Sequence, residues 1–150
     1  MVIAPIVNDG RINRSKTTLN KIVAATISLL RKNNNGQIPT AQEIAVKSGV
    51  GIRTVFRHID DMEGLIEEVN RRYLNDLESY IAKNNPKQNS KDQRIEHVIK
   101  ERFYLYNTYQ HVFNLTITSL NNSSAIRTGF IKFNHILRQR FEDLIPEIKM

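Results

Sequence analysis

Arg53, Thr54, Arg57 and His58 stand one, three and one positions apart in a stretch of helical character. That spacing gathers them on the outer side of about two helical turns. Their chemistry converges. A guanidinium forks onto the O6 and N7 acceptors of guanine in a DNA major groove, and threonine touches a thymine methyl or a phosphate. An imidazole donates to a phosphate oxygen. Thr40, opening the preceding helix, offers a hydroxyl and free backbone N–H groups to the same kind of partner. Arg11, Arg14 and Lys16 precede the first helix and are placed to reach a phosphate backbone or a minor groove.

These side chains need two helices crossing steeply through a three- or four-residue turn. Residues 40–59 have that form. Thr40-Ala41-Gln42-Glu43 has the spacing of a capping box. Ala45 is small where the second helix comes closest, and Gly49 falls where the chain must turn left-handed. Ile44, Val50, Val55 and Phe56 are the apolar residues expected to fill the inner face of the pair.

The rest of the pattern is helical as well. A first helix is expected from about Arg14 to Lys32, with Leu19, Ile22, Val23, Thr26, Leu29 and Leu30 on one face, stopped by Asn33-Asn34-Asn35-Gly36. A fourth follows Asp60-Asp61 and runs to Lys83, with Leu65, Ile66, Val69, Tyr73, Leu77, Tyr80 and Ile81 inward. Residues 84–90 read as a polar linker. A fifth helix carries Ile95, Val98, Ile99, Arg102, Phe103 and Tyr106. A shorter piece spans about His111 to Leu120, and a last helix runs from about Ala125 to Leu144 before Pro146.

The 150 residues carry a formal net charge of +7. Between Arg11 and Asp60 there are nine basic and two acidic residues; from Asp61 onward there are 13 basic and 12 acidic. A local excess of this kind is the footprint of a polyanion partner; the bland alternative is a solvated basic face. Cysteine is absent, which excludes disulfides, thiolate metal sites and cysteine nucleophiles and fits a cytoplasmic protein. No apolar run approaches the ~18–20 residues of a membrane helix, and Pro5 interrupts the short apolar N-terminus, which argues against a signal peptide. No nucleophile–base pair, phosphate-binding glycine loop or catalytic carboxylate pair is legible, so no enzyme and no cofactor are expected. His97 and Glu101 have the i, i+4 spacing of a metal pair but lack a third ligand, and an ordinary surface pair is expected there.

Leu-Asn-Lys-Ile-Val-Ala-Ala-Thr-Ile-Ser-Leu-Leu (residues 19–30) and Thr-Ala-Gln-Glu-Ile-Ala-Val-Lys-Ser-Gly-Val-Gly-Ile-Arg-Thr-Val-Phe-Arg-His-Ile (residues 40–59) resemble the TetR/AcrR regulators, over about residues 14–69. The resemblance implies an all-α fold: a DNA-binding head over residues 11–60 containing a helix-turn-helix, then a helical effector-binding and dimerisation bundle over residues 61–150. It implies double-stranded DNA as partner, a homodimer on a palindromic operator, a small apolar effector and a repressor's role. Thr40, Ile52, Arg53, Thr54, Arg57 and His58 match positions that meet DNA; Arg14 and Gly51 complete the expected DNA-binding set. Tyr73, Phe103, Tyr106, Phe113 and Phe130 are the aromatics expected around the effector. Gly51 replaces the family's usual Ser or Thr cap, Ile59 its aromatic, and Met62 its Lys or Arg. The family's two last dimerisation helices would begin where this sequence stops, so a fragment is expected, or a short form that dimerises through its last helix. The competing expectation is a helical protein-interaction module without specific DNA recognition.

Overall fold

The computed structural model describes residues 10–59, 62–86 and 89–148, with side chains from residue 13 onward. Among them are six helices and no strand: α1 (Gly10–Asn33), α2 (Ala41–Ser48), α3 (Ile52–His58), α4 (Met62–Lys83), α5 (Lys91–Ser119) and α6 (Ser124–Leu144). The chain is all-α. None of these helices is long and apolar enough to cross a membrane. Arg11's side chain, Asp60 and Asp61 lie outside the described residues.

The head, α1 to α3, forms as its local sequence dictates. α1 buries Ile22, Val23, Thr26, Ile27 and Leu30, one stripe at helical period. Thr26 is fully buried because its hydroxyl donates to the Ile22 carbonyl at 2.9 Å. The helix stops where Asn34 and Gly36 take positive φ, 44° and 71°. Thr40 caps α2 with both halves of the capping box: its N–H donates to Glu43 Oε2 at 2.8 Å, and Glu43 N–H donates back to Thr40 Oγ1 at 3.3 Å. Gly49, at φ 67° and ψ 20°, ends α2 in the left-handed conformation and turns the chain into α3. Gly51 precedes α3 without a side-chain cap, and the first turn closes on backbone bonds from Thr54 and Val55 to the Gly51 carbonyl, at 2.8 and 3.0 Å.

The body, α4 to α6, shares one hydrophobic core with the head. Ile22, Val23, Ile44, Val55 and Ile59 are continuous with Leu65, Ile66, Val69, Tyr73, Leu77, Leu105, Tyr109, Leu115 and Ile126. A satellite cluster of Val98, Leu144 and Ile145 closes the far end. Residues 91–119 run as two helical pieces that meet at a kink at Tyr109 (φ −109°, ψ 18°), close to the break expected from sequence. Ser90 and Gln93 supply a second capping box at its start. α6 leans on α4 at Gly129: a Cβ there would come within 2.5 Å of the Asn70 amide, which donates to the Ala125 carbonyl at 2.8 Å.

One polar latch holds head to body, and a second ties α4 to α6 within the body. Asn114 Nδ2 donates to the Asn34 carbonyl and Oδ1, at 3.1 and 2.9 Å, and the Thr118 hydroxyl donates to the Gly36 carbonyl. Glu63 accepts from Ser124 Oγ and Ala125 N, at 2.8 and 2.9 Å, at the start of α6. Hydrogen bonds from Ser123, Ala125 and Ser124 hold the Glu63 carboxyl below the usual carboxylate range.

Candidate nucleic-acid interface and the cavity behind it

α3 is anchored by Val55, fully buried, and by Ile59 just beyond its end. The opposite side of a seven-residue helix must then face outward. Arg53 and Arg57 are exposed there, while Thr54 and His58 are half-buried at its flanks. No carboxylate among the described residues pairs with either arginine. Ile52 is 39% exposed. Phe56 corrects the expectation drawn from sequence: it is 61% exposed and leaves the inner face to Val55. Helix geometry alone does not decide this, since the consecutive Ile22 and Val23 are both buried; on α3 the packing takes Val55 and leaves Phe56 outside.

Arg14, Arg57 and His58 line one cleft with Ser15 and Thr18, between the first turns of α1 and the end of α3. Two guanidinium groups, an imidazole and the Ser15 hydroxyl form an anion-binding set suited to a phosphate. Ser15 and Thr18 were missed by sequence reasoning. Their signal is the i, i+4 spacing of Arg14 and Thr18, whose hydroxyl donates to the Arg14 carbonyl at 2.9 Å. Thr40 is exposed, but its hydroxyl is occupied by the capping box and donates to Glu43 Oε2 at 2.8 Å. What α2 offers a partner is therefore its first N–H groups. The N–H and then the hydroxyl of Thr40 lower the pKa of Glu43. Gly51 is exposed, with open space where a Cβ would sit.

The body encloses a small cavity between α4, α5 and α6. Of the aromatics expected around an effector, Tyr73, Phe113 and Phe130 line it. Phe103 and Tyr106 do not: they are 70% and 53% exposed on the outer side of α5. Tyr109, Val112 and Phe133 complete the wall instead. Tyr109 meets Phe133 edge-on at 6.1 Å, and Phe113 meets Phe133 edge-on at 5.8 Å. The cavity measures about 40 Å³ for the centre of a water molecule, room for a few waters. Beside it the Tyr73 hydroxyl and His111 Nε2 lie 2.8 Å apart in a buried hydrogen bond. Burial, and secondarily the Arg31 charge, pushes the His111 pKa down to about 4; burial raises that of Tyr73.

His97 and Glu101 are not the surface pair expected from sequence. Glu101 is buried and accepts from Arg140 Nη2 at 3.3 Å, while His97 Nε2 stands 3.6 Å from its Oε1. No group of three metal-ligating side chains occurs among the described residues. Comparison with family models, with curated proteins and with solved structures found no match.

Proposed function

We propose that the chain is a sequence-specific, double-stranded DNA-binding regulator of the TetR/AcrR kind, with α2 and α3 as its helix-turn-helix. The observation that carries this reading is the outward face of α3. Arg53 and Arg57 lie exposed without carboxylate partners among the described residues, and Arg57 shares a cleft with Arg14, Ser15, Thr18 and His58. In this reading α3 enters the major groove, with Arg53 and Arg57 positioned for guanine edges. The cleft grips a phosphate, and the first N–H groups of α2 grip another. Phosphate contacts set position; base contacts set sequence.

Two heads on a palindrome require a homodimer whose α3 helices are about 34–36 Å apart. The regulator is a repressor released by an apolar effector. The cavity by Tyr73, Phe113 and Phe130 is its seat, and the walls part to admit it, because a drug-sized pocket is about 300–1,000 Å³. Parting would reach the head through α5, whose residues 112, 113, 115 and 116 line the cavity while Asn114 and Thr118 hold the loop after α1. An effector acts by favouring a head spacing that does not fit the operator.

The second reading is a helical protein-interaction module. What favours it is the row Ile99, Phe103 and Tyr106 on the outer side of α5, exposed and unaccompanied by a cationic excess. The two readings separate by selecting duplexes from a random library at two salt concentrations. A regulator enriches a palindrome, its affinity falls with salt, and Arg57→Ala loses one base preference. An interaction module enriches nothing.

A further inference from the structure

α3 carries two adjacent rows of side chains, each with its members four residues apart. One is cationic, Arg53 and Arg57; the other is apolar, Ile52 and Phe56. Isolated exposed apolar residues are common and mean little. Here the two stand together: Val55 is fully buried, while Ile52 and Phe56, four residues apart on one row, are 39% and 61% exposed. The result is a phenyl ring held in water with an isoleucine one turn behind it and guanidinium groups on either side in sequence.

Few surfaces suit that combination. The major groove presents guanine acceptors that fit arginine and, beside them, the thymine 5-methyl, the one apolar group on its floor. The cationic row selects a polyanion, and the apolar row then needs a methyl within the same groove. We infer that Phe56, backed by Ile52, is a specificity-determining contact that selects thymine by packing against its 5-methyl group, beside a base read by Arg53 or Arg57. This rests on the regulator reading and adds to it a base preference that arginines alone do not give.

The test uses the full chain and an operator duplex selected from a random library. Each thymine of a half-site is replaced in turn by uracil, which keeps the base pair and removes only the methyl. At one position wild type should lose roughly three- to five-fold in affinity, the worth of one buried methyl. Phe56→Ala should bind the thymine and uracil duplexes equally well, with the salt dependence of wild type. Phe56→Leu, which restores an apolar side chain, should recover part of the preference. Because Phe56 is exposed, helix content by circular dichroism should not change in either variant. An operator on which no thymine-to-uracil change matters overturns the inference while leaving the regulator reading intact, as does a Phe56→Ala protein that still discriminates. Failure to enrich any duplex overturns the regulator reading itself, and this contact with it.

Discussion

Head and body use the same charged side chains in opposite ways. In the body they are turned on each other: Arg71 pairs with Glu68, Arg94 with Glu147, Arg138 with Glu142, and Arg140 with buried Glu101. Arginines there also satisfy carbonyls, Arg94 at Leu144 and Arg102 at Leu137, at 2.7 and 2.6 Å. In the head, Arg53 and Arg57 face outward with no such partner among the described residues. Cations in the body are thus engaged within the chain, while those of α3 are left available to the outside partner that the proposed function requires. Each of the following experiments breaks or sharpens that contrast.

The largest effect belongs to the buried pair. Arg140→Met strands the Glu101 carboxylate among α4, α5 and α6 and should cost about 3–5 kcal/mol in urea unfolding. The matching head variant, Arg53→Met, should change stability by no more than about 0.5 kcal/mol. A large loss from Arg53→Met would erase the distinction.

A second effect is a pH dependence centred on a buried group of the body. His111 stays neutral when folded, with its pKa pushed down to about 4, against about 6.5 in an unfolded chain. The unfolded state therefore takes up the proton first as pH falls. The stability this gives is fully present above pH ~6.5 and is lost as pH drops toward 4, amounting to roughly 2–3 kcal/mol. His111→Asn should flatten that part of the stability–pH curve; an unchanged slope would show that His111 is not its source.

Third, Arg57→Ala should weaken binding to a selected duplex by about 1–3 kcal/mol and relax one base preference. Arg138→Ala, an exposed arginine of the body, should leave DNA affinity unchanged. The smallest effect is at Gly51, where a Cβ meets open space and φ is an ordinary −59°. Gly51→Ser should stabilise the head by a few tenths of a kcal/mol, read as a small rise in Tm.

The helices of the head were legible because their signals are local. A capping box at Thr40, a left-handed turn at Gly49 and a stop at Asn34 to Gly36 each act within a few residues. The α3 face was half legible: Arg53 and Arg57 were placed by spacing, but Val55 and Phe56 are adjacent and equally apolar, and only tertiary packing decides which goes in. α5 misled for a related reason. Its buried face runs Val98, Glu101, Leu105, Tyr109 and carries a charge, while Ile99, Phe103 and Tyr106 make an equally regular apolar row that faces out. Spacing cannot rank two such stripes. A buried glutamate is recognisable only once its arginine, 39 residues away in sequence, is seen beside it. The cavity wall of Tyr109, Val112 and Phe133 was hidden in the same way.

The most direct measurement is the affinity for a library-selected duplex across a range of salt concentrations, for wild type and Arg57→Ala. The regulator account predicts that log K falls linearly with log salt for wild type, and that the variant binds more weakly with a slope shallower by about one if its guanidinium also neutralises a phosphate in the cleft. A folded, helical wild type that enriches no sequence, or binds with no dependence on salt, would contradict it.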